Sequence, residues 1–163
     1  MGASDSGSTA DKLDSPESAT LVLRPFGQED GFPTVQRLDL VRAVRDDLLG
    51  LVDVREPADA SQDWAAFSGR VGSIAFRQDF SSPGRVDLRQ VAGDPVVGRI
   101  ARDVAALVTA GSWSRLRLCA NDVCREAFYD TTRSRTRRWH SYEICGNRSN
   151  VAAYRARSGS RAS

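Results

Sequence analysis

The chain has 163 residues, of which 40% are hydrophobic and 27% charged. That is enough for one ordinary globular domain, or one small domain with an appendage. No stretch approaches the roughly 20 apolar residues that span a bilayer. The polar, acidic start lacks the basic-then-apolar pattern of a secretory signal, so a cytoplasmic protein with no membrane partner is expected. The net charge of +2 hides a division: residues 1–110 carry −5, whereas residues 111–163 carry 11 arginines, 4 acids and a balance of +7.

Residues 1–19 are rich in Ser, Asp, Gly and Ala without an apolar period and read as a disordered tail. Residues 20–25 (TLVLRP) read as a short strand stopped by Pro25. Thr34 has the chemistry of a helix N-cap. Leu38, Val41, Val44, Leu48 and Val52 follow at spacings of three and four, which predicts a helix to about Leu51. Residues 53–62 form a polar loop. Residues 71–79 and 85–91 read as two strands joined by the turn Ser81-Ser82-Pro83-Gly84, a β-hairpin. Asp94-Pro95 then starts a second helix. Its apolar stripe is Val97, Ile100 or Ala101, Val104 and Val108, and Gly111 caps its end. Two helices and a hairpin make a small α+β domain.

All three cysteines and the single histidine fall in one stretch: Cys119, Cys124, His140 and Cys145. Each taken alone is an ordinary buried thiol or an ordinary imidazole. Together they form two pairs separated by a loop of hairpin length. Zinc takes four tetrahedral thiolate or imidazole ligands, so the set predicts one structural Zn2+ with no open position. Phe128, Tyr129 and the turn Asp130-Thr131-Thr132 suggest a hairpin between the two pairs. Residues after Cys145 read as a helix.

Knuckle, hairpin and a helix whose first turn supplies the last ligands resemble a treble-clef zinc finger. Cys145-Gly146-Asn147-Arg148 is the signature of the CGNR zinc-finger family. Leu118-Cys119, Cys124, Phe128 to Thr132, Arg137-Arg138-Trp139 and Tyr154 to Arg157 extend that resemblance over residues 113–157. The family consists chiefly of bacterial proteins regarded as stress-induced transcription regulators, with an α/β region called ABATE before the finger. Between tails at 1–19 and 158–163, the resemblance therefore implies an ABATE-like domain at 20–112 and the finger at 113–157. Two departures stand out. His140 occupies a position where the family usually has cysteine, and residues 20–25 only loosely match the strand that opens the ABATE region.

Arginine suggests the partner. Arg133, Arg135, Arg137 and Arg138 lie within six residues, and Arg148, Arg155 and Arg157 fall on the last helix with Asn150. Guanidinium groups pair with phosphate oxygens and read guanine in the major groove. The expected function is a zinc-dependent, DNA-binding transcription regulator, associated with the nucleoid. The alternative is a protein-interaction module with a purely structural zinc, in which oppositely charged halves associate within one chain or in a homodimer. An enzyme is not expected: no second histidine remains to activate water, and no nucleophile or acid–base set stands out.

Overall fold

The computed structural model describes residues 11–29, 31–53, 60–148, 150 and 151. The described residues divide into two compact units, one ending at Trp113 and the other beginning at Ser114. The architecture is mixed α+β, with helices and two small antiparallel hairpins.

The first unit opens with helix α1 (Pro16–Leu23), where the sequence suggested a tail and a strand. The difference has a local cause. Ser15 is an N-cap whose hydroxyl accepts the Ser18 N–H at 3.2 Å, and Pro16 fills the first turn. Ala19 and Leu23, one turn apart, are buried, so tertiary burial overrides the strand preference of Thr20-Leu21-Val22. Leu13, expected in the tail, is also buried, and its carbonyl accepts from Arg42 Nη2 at 2.6 Å.

Helix α2 spans Val35–Asp53, two residues beyond the expected end. Thr34 Oγ1 accepts the Arg37 N–H at 3.2 Å, as a cap should. Leu38, Val41, Val44 and Leu51 are buried. Part of the expected polar loop, residues 54–59, lies outside the described residues. Its far end is not a loop: Ser61–Arg70 forms helix α3, which the sequence reading did not assign. Phe67 is buried there, and Trp64 packs on Trp113 with ring centroids 5.1 Å apart.

Strands β1 (Ala75–Asp79) and β2 (Asp87–Ala92) form the expected antiparallel hairpin, with the first strand starting later than anticipated. Residues 71–74 turn instead, Ile74 N–H donating to the Val71 carbonyl at 3.0 Å. Helix α4 (Pro95–Thr109) starts on Asp94, whose carboxylate accepts from Val96 N and Val97 N at 2.9 and 3.1 Å. It ends in a Schellman closure. Ser112 N donates to Leu107 O and Gly111 N to Val108 O, with Gly111 at φ +63°. Val96, Val97 and Val104 are buried, but Val108 is 45% exposed and does not belong to the buried stripe. The core of this unit is Leu13, Ala19, Leu23, Leu38, Val41, Val44, Leu51, Ala60, Phe67, Val96, Val97 and Val104.

The second unit holds strands β3 (Leu116–Leu118) and β4 (Ala127–Tyr129), paired antiparallel. A π-type helical turn follows at Tyr142–Gly146. The hairpin thus encloses the first cysteine pair instead of lying between the two pairs. The stretch from Asp130 to Trp139 carries no strand. Membrane-spanning length and apolarity are absent from every helix among the described residues.

Candidate metal centre

Cys119 and Cys124 sit in the loop that joins β3 to β4. Cys119 N–H donates to the Glu126 carbonyl at 2.9 Å, closing the hairpin. Asn121 shapes the loop. Its Oδ1 accepts from Val123 N at 3.2 Å, and its carbonyl accepts from Cys124 N and Arg125 N at 2.8 and 3.0 Å. An Asx turn of this kind is why Asn suits a tight loop between two ligands. Ala120 N–H donates to the Arg138 carbonyl at 2.8 Å and so ties the loop to the segment leading into His140.

That segment is held by Asp130, whose side chain is fully buried. Its Oδ1 accepts from Thr132 N at 2.9 Å and Thr132 Oγ1 at 2.6 Å, and its Oδ2 from Arg137 N at 2.9 Å. These bonds, led by the Thr132 hydroxyl, hold the Asp130 carboxyl below its ordinary value despite burial. Arg115 Nη1 donates to the carbonyls of Asp130 and Thr132 at 2.9 and 3.2 Å. Arg117 donates to the Arg135 carbonyl and lies 3.6 Å from Asp130 Oδ2.

Cys145 comes from the helical turn. Ser141 caps it, its hydroxyl accepting from Ile144 N at 3.3 Å. The Ser141 carbonyl accepts from Cys145 N and, one residue further on, from Gly146 N at 3.0 and 3.3 Å. Cys145 and Gly146 are buried by this wide turn. Gly146 is there for space: a Cβ would stand 2.7 Å from Cδ2 of the Tyr142 ring. Asn147 Nδ2 donates to the Glu143 carbonyl at 3.2 Å. The signature thus reads as a ligand, a gap for a ring and a backbone tie, followed by the exposed Arg148. Only Cys145 is contributed by the turn; His140 precedes it.

The four donor atoms lie within 4.8 Å of one another, Cys119 and Cys145 buried, Cys124 and His140 half-buried. His140 Nδ1 is 3.3 Å from Cys124 Sγ and 3.7 Å from Cys145 Sγ. A tetrahedral zinc with ordinary Zn–N and Zn–S bonds places such atoms about 3.6 Å apart. The residues therefore fit the ion, and the cluster is compatible with a single structural Zn2+. In the metal-free chain, burial acts to raise the Cys119 thiol. The Asn121 backbone donor and the His140 side chain outweigh it, bringing the thiol to about 7. Burial, with the Cys145 and Cys119 sulfurs beside it, pushes Cys124 up to about 11.

Sequence reasoning missed Glu126. Its carboxylate is 3.4 Å from His140 Nε2, the ring nitrogen turned away from the sulfurs. Carboxylates facing the far nitrogen of a ligating histidine orient the ring, and Glu126 stands on that side. The signal was available in retrospect, since Glu126 follows the second cysteine by two residues on the strand side of the knuckle.

The anticipated arginines fall into distinct settings. Arg137 is engaged within its own unit. Its Nε donates to the Trp139 carbonyl at 2.8 Å, its Nη2 donates to the His140 carbonyl, and its guanidinium lies 5.3 Å over the Phe128 ring. Arg138 is exposed and stacks on Trp139 at 5.1 Å. Arg133, Arg135 and Arg148 are exposed. Asn150 Nδ2 donates to the Tyr142 hydroxyl at 3.3 Å. Arg155 and Arg157 lie outside the described residues.

A closed Cys3His cluster on a knuckle and a helical turn defines a zinc-finger-like domain. Residues 115–158 match the CGNR zinc finger family, so the chain carries a C-terminal CGNR-type zinc finger. The match does not extend to the N-terminal unit. No curated protein matches the chain. Domains of the CGNR type are structural or regulatory, not catalytic, which is consistent with a non-enzymatic protein and supports a regulatory or nucleic-acid-binding role in general terms.

Proposed function

We propose that the chain is a zinc-dependent transcription regulator whose finger binds double-stranded DNA through its arginine face. Cys119, Cys124, His140 and Cys145 hold the ion, and zinc supplies the crosslink that folds the finger. In this reading the domain is a variant treble clef, with its hairpin around the knuckle, and the N-terminal unit is an ABATE-like partner to it. The observation that carries the reading is a division of labour among the arginines. Arg115, Arg117 and Arg137 bond backbone carbonyls inside the finger. Arg133, Arg135, Arg138 and Arg148 are exposed. Arg135 holds a left-handed backbone at φ +54° that glycine would adopt at lower cost, which supports a role for its side chain.

The test is selection of bound duplexes from a random pool, with zinc-loaded protein and a chelated control. A consensus that disappears on chelation is expected. Affinity should fall with salt at a log–log slope of about −0.9 per phosphate contacted, or about −4 for four arginines. A flat salt response would overturn DNA contact. Arg135→Gly is the sharpest variant, because it relieves the backbone and removes the contact. Thermal stability should hold or rise while DNA affinity drops.

A further inference from the structure

We propose that the outer edge of β1 pairs with the same edge of a second copy, joining two hairpins into one four-stranded antiparallel sheet. The hairpin has only two strands, and such a sheet is marginal in water without further cover. Its β2 side is tied to the turn that follows it and to the start and body of α4. Gln90 Nε2 donates to the carbonyls of Ala92, Gly93 and Asp94 at 3.0, 3.1 and 3.0 Å. Arg102 Nη1 reaches the Leu88 carbonyl at 3.4 Å. The other side of β1 has no strand partner among the described residues. An open edge is a row of unpaired N–H and C=O groups and a template for another strand.

The strand is its own complement. With Phe80, the residue that follows its last pair, it reads Phe76-Arg77-Gln78-Asp79-Phe80, a palindrome in shape with charges of opposite sign at symmetric positions. Antiparallel pairing about Gln78 places Arg77 opposite the partner's Asp79, and Asp79 opposite the partner's Arg77. On the other face it places Phe76 opposite the partner's Phe80, and Phe80 opposite the partner's Phe76. Aromatic and opposite-charge pairs directly across an antiparallel ladder are the stabilising kinds. A register shift by one residue would set Arg77 opposite the partner's Gln78 and lose both ion pairs, so the alignment is specified.

The surface of the hairpin is prepared for cover. Phe80, Val86 and Leu88 are 66%, 52% and 45% exposed. The register Gln78↔Leu88 puts Leu88 on one face with Phe76, and Phe80 and Val86 adjoin the turn end of the two strands. Arg77 is exposed and makes no ion pair among the described residues, whereas Asp79 already pairs with Arg89 on β2. In the joined sheet Asp79 would sit between two guanidinium groups. A two-fold axis through the paired Gln78 residues closes the assembly at two copies, because each edge is used once. This inference rests on the N-terminal unit and is independent of what the finger binds.

The test is the mass of the zinc-loaded full chain by sedimentation velocity. Wild type is expected at twice the 17.8 kDa chain mass. Arg77→Asp alone sets Asp opposite Asp, and Asp79→Arg alone sets Arg opposite Arg. Each should weaken association about tenfold or more, since facing like charges repel. An equimolar mixture of the two variants restores opposite charges at every pair, and should restore the dimer. Phe80→Ser should dissociate it while zinc content and helical signal stay unchanged. A monomeric wild type, single variants as dimeric as wild type, or a mixture that stays monomeric would each overturn the proposal.

Discussion

The two units bury different things. The N-terminal unit buries a continuous set of aliphatic side chains from α1, α2 and α4 with Phe67 of α3. Among the described residues of the finger, the buried set is Cys119, Asp130, Cys145 and Gly146. That is two thiols, a carboxylate and a glycine, with no large aliphatic among them. Burial of apolar surface at about 25 cal/mol per Å2 can hold the first unit together. It has little to act on in the second, where hydrogen bonds to Asp130 and the metal ligands take its place. The arginines follow the same division. In the first unit Arg37, Arg42, Arg45 and Arg70 pair with aspartates. In the finger Arg115, Arg117 and Arg137 bond main-chain carbonyls of a segment that has no strand to satisfy them.

Metal removal should separate the units most strongly. Structural zinc contributes roughly 10–16 kcal/mol in finger peptides near neutral pH. Chelation, or Cys145→Ala, should unfold the finger and leave the N-terminal helices intact. Hydrogen exchange mapped along the chain would show protection lost after residue 114 and retained before it. Loss on both sides would mean that the N-terminal core is not self-sufficient. Acid should act in the same direction as chelation. Cys124, raised to about 11 in the metal-free chain, carries a proton at neutral pH that zinc must displace. Uptake therefore releases protons, and affinity climbs as pH rises. Asp130 adds a second acid sensitivity. Its carboxyl is held below 3.8, so its contribution is complete above that value and is lost as pH falls through the lowered one. Competition against a chromophoric chelator across pH would read the first effect directly.

The converse experiment is Leu23→Ala. Leu23 is 2% exposed in the core of the first unit. Removing a buried leucine costs about 2–5 kcal/mol. The thermal midpoint of the N-terminal unit should fall while zinc affinity is unchanged. A drop in zinc affinity would show that the finger depends on the first core after all.

How much of this was legible in the sequence also divides by physical cause. Helices α2 and α4 were legible because cap chemistry and apolar period agree: Thr34 and Asp94 mark starts, and Gly111 marks an end. Helix α1 was not, because Thr20-Leu21-Val22-Leu23 reads as strand by residue type and only burial of Ala19 and Leu23 decides otherwise. Helix α3 was hidden by its short length and by the polar stretch before it. The metal ligands stood out because they are the whole Cys and His complement of the chain. Their support did not, since Glu126 and Asp130 act through atoms that spacing alone cannot align. The finger hairpin was misplaced because each of its strands is three residues long, too short to show alternation.

Gly146→Ala probes the finger on a smaller scale. The added methyl meets the Tyr142 ring, and forced overpacking costs about 1–3 kcal/mol. Zinc should bind more weakly, because the turn that carries Cys145 must open. Adding Tyr142→Ala removes the obstacle and should recover most of the loss. Failure of the double variant to recover would mean that Gly146 serves the backbone of the turn and not the ring.

The smallest effect tests whether the first unit is as free of electrostatic dependence as its aliphatic core suggests. Asp94 does two things: it caps α4 through Val96 N and Val97 N, and it pairs with Arg37 Nε at 2.7 Å. Arg37 also donates to Gln28 Oε1 at 2.9 Å, so the pair links the start of α2 to the start of α4. Loss of an N-cap costs about 1 kcal/mol, and a partly exposed ion pair contributes about 1 kcal/mol or less. Asp94→Asn keeps a competent cap and removes the charge, whereas Asp94→Ala removes both. If capping dominates, Asn should melt close to wild type and Ala lower. If Asn falls as far as Ala, the charge of the Arg37 pair matters more than the cap. The N-terminal unit would then share with the finger a reliance on a guanidinium placed between elements, and the contrast between the two would narrow to the metal alone.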